Sequence, residues 1–382
     1  RYLFGDINIA QDVITDEAMR RLLRMHPGDP YTLDTLLRTQ YVLDDTQYFS
    51  VVDIESGDPD PETRTVPITV TAEPSRKHRY AAAIGYGTDT KARGKFTWDN
   101  RRVNEDGHKF KLELLGSSIV TDLTGRYIVP VMDIALEKLE FTGTLRDEER
   151  GDTRSRRAEV SAGLTQVLGR WQRVLRVAVA EEESIERGIG STTNLYIVPS
   201  IAFSTLPSYI IGGRKRPYFF SAELRGSPET LGSDASFLQL RLKGERIFDM
   251  TELWHLHLRS ELGISRIAAT SDLPTSQRFF AGGENSVRGF ALNELSPNGV
   301  GGRNLVTGTV EVVRDLPRNF GVAAFYDIGN AFDDFSAPDL QYSTGLGVRY
   351  NIAVASFGID VAQALSESGR SPRVHLYIAT QF

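Results

Sequence analysis

From about residue 79 onward the chain alternates between apolar and polar positions. Phe110, Leu112 and Leu114 stand among Lys109, Lys111 and Glu113. Leu238, Leu240 and Leu242 stand among Gln239, Arg241 and Lys243, and Trp254, Leu256 and Leu258 among His255, His257 and Arg259. The final stretch puts Val374, Leu376, Ile378, Thr380 and Phe382 on one face, with Arg373, His375, Tyr377 and Gln381 on the other. A period of two means strands with one apolar and one polar face. Sixteen such segments follow one another, starting near residues 79, 91, 107, 119, 137, 155, 170, 193, 217, 233, 251, 304, 319, 340, 352 and 371. They reach the ~9–11 residues a tilted strand needs to cross a bilayer. An even number closes an antiparallel barrel without leaving an edge in lipid. Aromatic residues such as Tyr80, Trp98, Tyr127, Trp171, Tyr196, Tyr209 and Tyr350 recur near segment ends, where membrane barrels carry interfacial girdles. Alternation and aromatics are also what a soluble β-rich domain shows.

Residues 1–75 have a different texture. A strand is predicted over Tyr2–Ile9. Thr15 and Asp16 cap a helix carrying Ala18, Leu22 and Met25, which the His26–Pro30 cluster stops. Thr32 caps a second helix with Leu33, Leu36, Leu37 and Tyr41 on its apolar face. Strands over Tyr48–Ser56 and Arg64–Glu73 complete a small α+β domain of order β-α-α-β-β. The domain reading is thus 1–75 for this unit and 76–382 for the barrel.

Composition narrows the function classes. The 382 residues are 40% hydrophobic, with no cysteine and a net charge of −6. Mean hydropathy is −0.26 and the pI is about 5.7. Low hydropathy suits a barrel whose strands face lipid and lumen in turn, and no stretch approaches the ~18 apolar residues of a membrane helix. The acidic balance argues against a nucleic-acid binder, no nucleotide motif is present, and thiolate metal sites are excluded. No signal peptide is visible, so a processed or truncated N-terminus is expected. His255 and His257 lack a third metal ligand and read as lumen-facing polar residues. Asp122, Asp133 and Asp147 read as loop acidity. No metal, cofactor or catalytic constellation is expected, so the chain does not read as an enzyme.

About 35 residues, 268–303, interrupt the alternation. They hold Gly282-Gly283 and Gly289, which allow tight backbone approach, beside the apolar Phe279, Phe280, Val287 and Phe290. A segment with this content folds back against something, and in a large barrel that place is the lumen. Arg288 then needs an anion. Glu311 shares a strand face with Thr307 and Thr309. Asp327 shares one with Phe325 and Gly329. Parity points both carboxylates inward, and Gly329 is expected to leave room for a guanidinium or a ring. A surface arginine with solvated carboxylates is the alternative.

The run Phe279–Phe290, containing Val287-Arg288-Gly289-Phe290, resembles the loop-six motif of the Omp85 superfamily of outer-membrane proteins. Phe325-Tyr326-Asp327-Ile328-Gly329 resembles its facing F-x-D-x-G strand. Gly85–Asp89 with Arg93–Trp98 is similar to the first two barrel strands of the TamA branch. The N-terminal unit resembles a POTRA domain, and the terminal Phe382 the barrel C-terminal signal. Three POTRA domains are usual in that branch and only one fits here. The resemblance implies an assembly factor in the outer membrane, its POTRA-like domain in the periplasm. It would help insert or translocate β-barrel and autotransporter proteins without nucleotide. Its partners would be outer-membrane lipid, unfolded outer-membrane proteins and a periplasm-spanning, TamB-like protein. It further implies a weak seam between the first and last strands, with Gly85, Gly87 and Phe382 at that seam. Alternatives are a two-partner secretion transporter exporting a dedicated substrate, a passive outer-membrane pore, and a soluble β-rich binding protein.

Overall fold

In the computed structural model, which describes residues 1–206, 218–352 and 355–380, two bodies follow each other along the chain. The first consists of β1 (Leu3–Ala10), α1 (Asp16–Leu22), α2 (Leu33–Asp45), β2 (Phe49–Ser56) and β3 (Thr65–Pro74). β3 is central, parallel to β1 and antiparallel to β2. Both helix starts are capped by threonines: Ala18 N donates to Thr15 Oγ1 and Thr35 N to Thr32 Oγ1. The helices cover the sheet and close a core around Phe4, Met19, Leu22, Leu43, Ile68 and Val70.

Two helix expectations change. α1 ends at Leu22, where Leu23 turns extended, and Met25 reaches the core from beyond the helix. In α2 the buried face is Leu36, Thr39 and Leu43, while Leu33, Leu37 and Tyr41 lie outside at 69%, 47% and 70% exposure. Thr39 is tolerated inside because its hydroxyl donates to Thr35 O and accepts from Arg24 N.

The second body comprises β4 (His78–Gly87), β5 (Lys91–Asn100), β6 (Lys109–Gly116), β7 (Val120–Pro130), β8 (Glu137–Arg150), β9 (Thr153–Leu168), β10 (Trp171–Glu186), β11 (Gly190–Thr205), β12 (Tyr218–Ser227), β13 (Phe237–Asp249), β14 (Trp254–Arg266), β15 (Asn304–Asp315), β16 (Phe320–Phe332), β17 (Gln341–Ile352), β18 (Ala355–Ala364) and β19 (Arg373–Thr380). Each pairs antiparallel with the next, and β19 meets β4 to close a sixteen-stranded barrel. Its burial is inverted relative to a soluble domain. Thr97, Glu113, Thr124, Gln166, Glu182 and Gln239 are buried inside, while Ile84, Leu145, Val160, Val177, Leu346 and Val374 are exposed outside. Only a lipid solvent rewards that arrangement. Tyr196 departs from the expected girdle: it faces inward and packs with Phe237 and Leu273. Tyr209 lies outside the described residues. Asp122 and Asp147 sit on β7 and β8 rather than in loops, ion-paired with Arg146 and Arg154 respectively.

The N-terminal domain rests on two turns at one end of the barrel. Arg24 makes a two-pronged contact with Asp133 at 2.8 and 2.8 Å, and Arg21 Nη2 donates to Met132 O. Tyr48 OH donates to Gly107 O at 2.6 Å, and Lys109 Nζ donates to Thr46 O. Ile134 and Ala135 extend the domain's core. The Arg24 guanidinium holds the Asp133 carboxyl below its usual range, and burial pushes the Tyr48 hydroxyl up.

Candidate functional site

The segment 267–303 between β14 and β15 is an irregular hairpin rather than a tether. Phe279 and Gly302 exchange backbone hydrogen bonds at 2.8 Å, and Ala281 and Leu295 at 2.9 and 3.0 Å. Gly283 N closes the tip onto Phe290 O. Gly282 and Gly283 both take positive φ (97° and 93°), which explains glycine at that bend. Phe279, Ala281, Val287, Phe290 and Leu295 pack against Leu305, Ala331 and Ala364 of the barrel wall. At the tip a Cβ on Gly289 would stand 2.7 Å from Ser343 Cβ and 2.8 Å from Ala364 N, so no larger residue lets the loop come this close.

That approach delivers Arg288 to the wall, its side chain 3% exposed. Nε and Nη2 grip the two oxygens of Asp327 at 2.9 Å each, and the Arg288 backbone N–H adds a third bond at 3.1 Å. Nη1 reaches Glu311 Oε2 at 2.7 Å and Asp360 Oδ2 at 3.3 Å. The guanidinium carbon lies 3.3 Å above the centre of the Phe325 ring. Arg349 bridges Glu311 and Asp360 from the far side. Two cations thus face three carboxylates, Glu311, Asp327 and Asp360. Such a group is stable only while every member keeps its partners. Truncating one costs on the order of 3–5 kcal/mol by leaving buried charge uncompensated.

The same loop touches both sides of the barrel's closing seam. Glu284 N donates to Asp89 Oδ2 at 2.8 Å, in the β4–β5 turn. His375 of β19 hydrogen-bonds through Nε2 to Arg288 O at 2.7 Å, with Nδ1 3.6 Å from Asp89. The seam itself is thin. Among the described residues, β19 pairs with β4 at Tyr377–Gly87 and Ile378–Tyr86, aided by Thr88 N donating to Leu376 O. By contrast, β15 and β16 pair without a break from Asn304–Phe332 to Asp315–Gly321.

A family model described as the Omp85 superfamily domain matches residues 218–382, and one for POTRA, described as a surface antigen variable number repeat, matches residues 2–74. The chain belongs to the Omp85 superfamily. The outer membrane protein assembly factor BamA of Nitratidesulfovibrio vulgaris is 22% identical over 385 residues, covering 94% of this chain and 48% of that protein. The chain therefore spans about half the length of that relative. Among solved structures, BamA from Haemophilus ducreyi lacking POTRA domains 1-3 aligns with a TM-score of 0.82 at 14% identity, covering 100% of this chain and 85% of that one. CdiB from Acinetobacter baumannii gives 0.65 at 14% identity, covering 100% and 74%. These likenesses are of fold. The two family matches, over residues 218–382 and 2–74, identify an outer-membrane Omp85 barrel with its POTRA domain on the periplasmic side.

Of the residues singled out in the sequence, Val287, Arg288, Gly289, Phe290, Glu311, Phe325 and Asp327 come together. Gly329 is on the wall but has a different use. A Cβ there would meet Val306 O at 2.5 Å, so the glycine relieves contact with β15 rather than making room for the guanidinium. Room for the Phe325 ring comes from Gly345, where a Cβ would stand 2.4 Å from the ring. Gly85 lies at the seam, its Cβ position 2.9 Å from Ile378 O, and Gly87 beside it borders Glu284. Phe382 lies outside the described residues. His255 sits at the periplasmic rim between Asp249 and Asp315.

Sequence reasoning missed Asp360, Arg349 and His375. Alternation was the available signal for Asp360, which sits between the outward Ile359 and Val361. It also passed over Arg278, which is buried with Nη1 2.6 Å from Glu186 and its other nitrogens on Leu273 O and Ser271 O. The hairpin is therefore held by two arginines, one near its stem and one at its tip.

Proposed function

We propose that this chain is an outer-membrane protein assembly factor that helps β-barrel proteins, autotransporters among them, enter the membrane by opening its own seam. The observation that carries the proposal is the unequal closure of the barrel. Most of the β4 edge facing β19 has no paired strand among the described residues, so its backbone groups offer a template to an incoming strand. Arg288 and its carboxylates keep the loop seated while the seam opens. The printed name of the Nitratidesulfovibrio relative supports the reading. No chemistry beyond strand exchange is assigned, and no nucleotide is required.

The chain has no cysteine, so a disulfide tests this cleanly. Tyr86→Cys with Ile378→Cys faces two thiols across the seam, and Val310→Cys with Tyr326→Cys does so across β15–β16. Insertion of a β-barrel substrate into liposomes should stop when the seam pair is oxidised, return on reduction, and be indifferent to the second pair. Full insertion by the seam-locked protein would sink the proposal.

The likeness to CdiB supports a second reading, export of a dedicated substrate. Export through the lumen would survive the seam lock and fail when the loop is fixed in place. The narrower assignment to the TamA branch is supported by the resemblance of Gly85–Asp89 and Arg93–Trp98 alone, and a TamB-like partner would go with it. It is tested by whether autotransporters are assembled in preference to simple barrels.

A further inference from the structure

β11 extends well past the outer end of its described ladder with β12. Their described pairing runs from Ser200–Arg225 to Ser204–Ser221, yet β11 begins at Gly190 and β12 continues to Ser227. Beyond Ser200 the β12–β13 loop meets the β11 edge instead. Asp234 N donates to Leu195 O at 2.9 Å, and Ile197 N donates to Ser233 Oγ at 2.9 Å. The splayed strands leave a cleft of about 890 Å3 whose lining includes Pro199, Ile201, Leu224, Gly226, Leu238 and Ala268. Leu224 and Leu238 are 41% and 51% exposed on the outer face, and Ile201 is paired with Leu224, so the cleft opens to lipid.

Arg266 also lines this cleft, and the register sets its depth. It stands opposite Leu238 and shares the outward face of β14 with Trp254, Leu256, Leu258, Leu262 and Ile264. From residue 254 to 266 a strand rising ~3.3 Å per residue and tilted by about 40° climbs roughly 30 Å, the thickness of a hydrocarbon core. Trp254 therefore marks the periplasmic border and Arg266 the outer one. The Arg266 side chain is exposed and has no hydrogen bond, ion pair or ring contact among the described residues. The nearby loop carboxylates are engaged elsewhere: Glu229 accepts from Ser236 N, Asp234 from Leu195 N and Asp272 from Ser271. A free cation at headgroup depth, above a concave apolar surface, matches an anionic lipid in charge and shape.

We propose that this cleft is a lipid site, holding an acyl chain of an outer-leaflet phosphorylated glycolipid with its phosphate on Arg266. The site is separate from the loop and the seam and does not depend on the assembly reading. The test uses the full chain in detergent, incubated with lipid A or with phosphatidylcholine, passed through gel filtration and weighed by native mass spectrometry. Lipid A should stay bound and phosphatidylcholine should not. Arg266→Gln should lower retention about fivefold, the scale of one interfacial charge pair. Ala268→Trp, an exposed position whose new ring fills the cleft, should abolish it, with both variants still heat-modifiable on gels as folded barrels. Equal retention of the two lipids, or unchanged retention of lipid A by both variants, would overturn the proposal. So would full displacement of lipid A by millimolar soluble glucosamine phosphate, because that would show an anion site without an acyl chain.

Discussion

The barrel is closed strongly in one place and weakly in another, and one loop touches both. At the wall of β15–β18, Arg288 is locked among Asp327, Glu311 and Asp360 over the Phe325 ring, and the ladders beneath are continuous. At the seam, β4 and β19 share two residue pairs among the described residues, with Gly85 clearing the close approach. Rigidity concentrated in the wall gives the loop a fixed anchor. The short described ladder at the seam is where the proposed opening would occur. His375 and Asp89 join the anchor to the seam by direct contact, since one side chain stands on the last strand and the other in the first turn.

Arg288→Ala attacks the strong side most severely. It strips Asp327 of its buried cation and leaves Glu311 and Asp360 with Arg349 alone, and should loosen the hairpin by about 3–5 kcal/mol. The expected outcome is rapid protease cutting within 267–303 and collapse of substrate insertion, while the barrel remains heat-modifiable because its ladders do not pass through the arginine. Insertion at the wild-type level would mean that the loop anchor is not needed. The charge exchange Arg288→Glu with Asp327→Arg should recover little of that loss. The exchanged carboxylate would face Glu311 and Asp360, which a single Arg–Asp pair would not; full rescue would show that Asp327 alone matters.

Two milder changes sharpen the comparison. Asp360→Asn leaves the two-pronged grip of Asp327 intact and should cost about 1–2 kcal/mol in loop protection. Phe325→Leu removes the ring beneath the guanidinium, with a cost of similar size, about 1–2 kcal/mol. Both are read by the same protease assay, and an effect as large as that of Arg288→Ala would show that the charge group fails as a unit.

The smallest effect lies away from the loop, at the POTRA–barrel contact. Asp133 is held ionised by Arg24, so its folded pKa is depressed. The stabilisation is present above the ordinary carboxylate range and is lost as pH falls through the lowered value. Spectroscopic labels on the POTRA domain and the barrel should move apart on acidification, and Arg24→Ala should produce a shift at neutral pH worth about 1 kcal/mol or less.

Period two in the sequence was enough to find the barrel strands, because each presents an apolar face to lipid and a polar face to the lumen. The loop anchor was legible for a related reason. An arginine set among glycines and aromatics, as Arg288 is, needs an acid, and parity turned Glu311 and Asp327 inward. What stayed hidden depends on which elements meet. Nothing local to Asp360 or Arg349 says that β17 and β18 will stand beside Asp327, and the contact between Arg24 and Asp133 joins residues far apart in sequence. The face of α2 misled because Leu33, Leu37 and Tyr41 are as apolar as the buried set. The packing of the domain buries Leu36, Thr39 and Leu43 instead. Gly329 and Gly345 could not be told apart without knowing which neighbouring atoms press on them.

Amide hydrogen exchange on the intact barrel in a lipid bilayer compares the two closures directly. Backbone amides of β4 on the edge facing β19 should exchange orders of magnitude faster than those of β15 and β16 beneath Arg288. Equal, strong protection on both sides of the barrel would contradict a weak seam set against a locked wall.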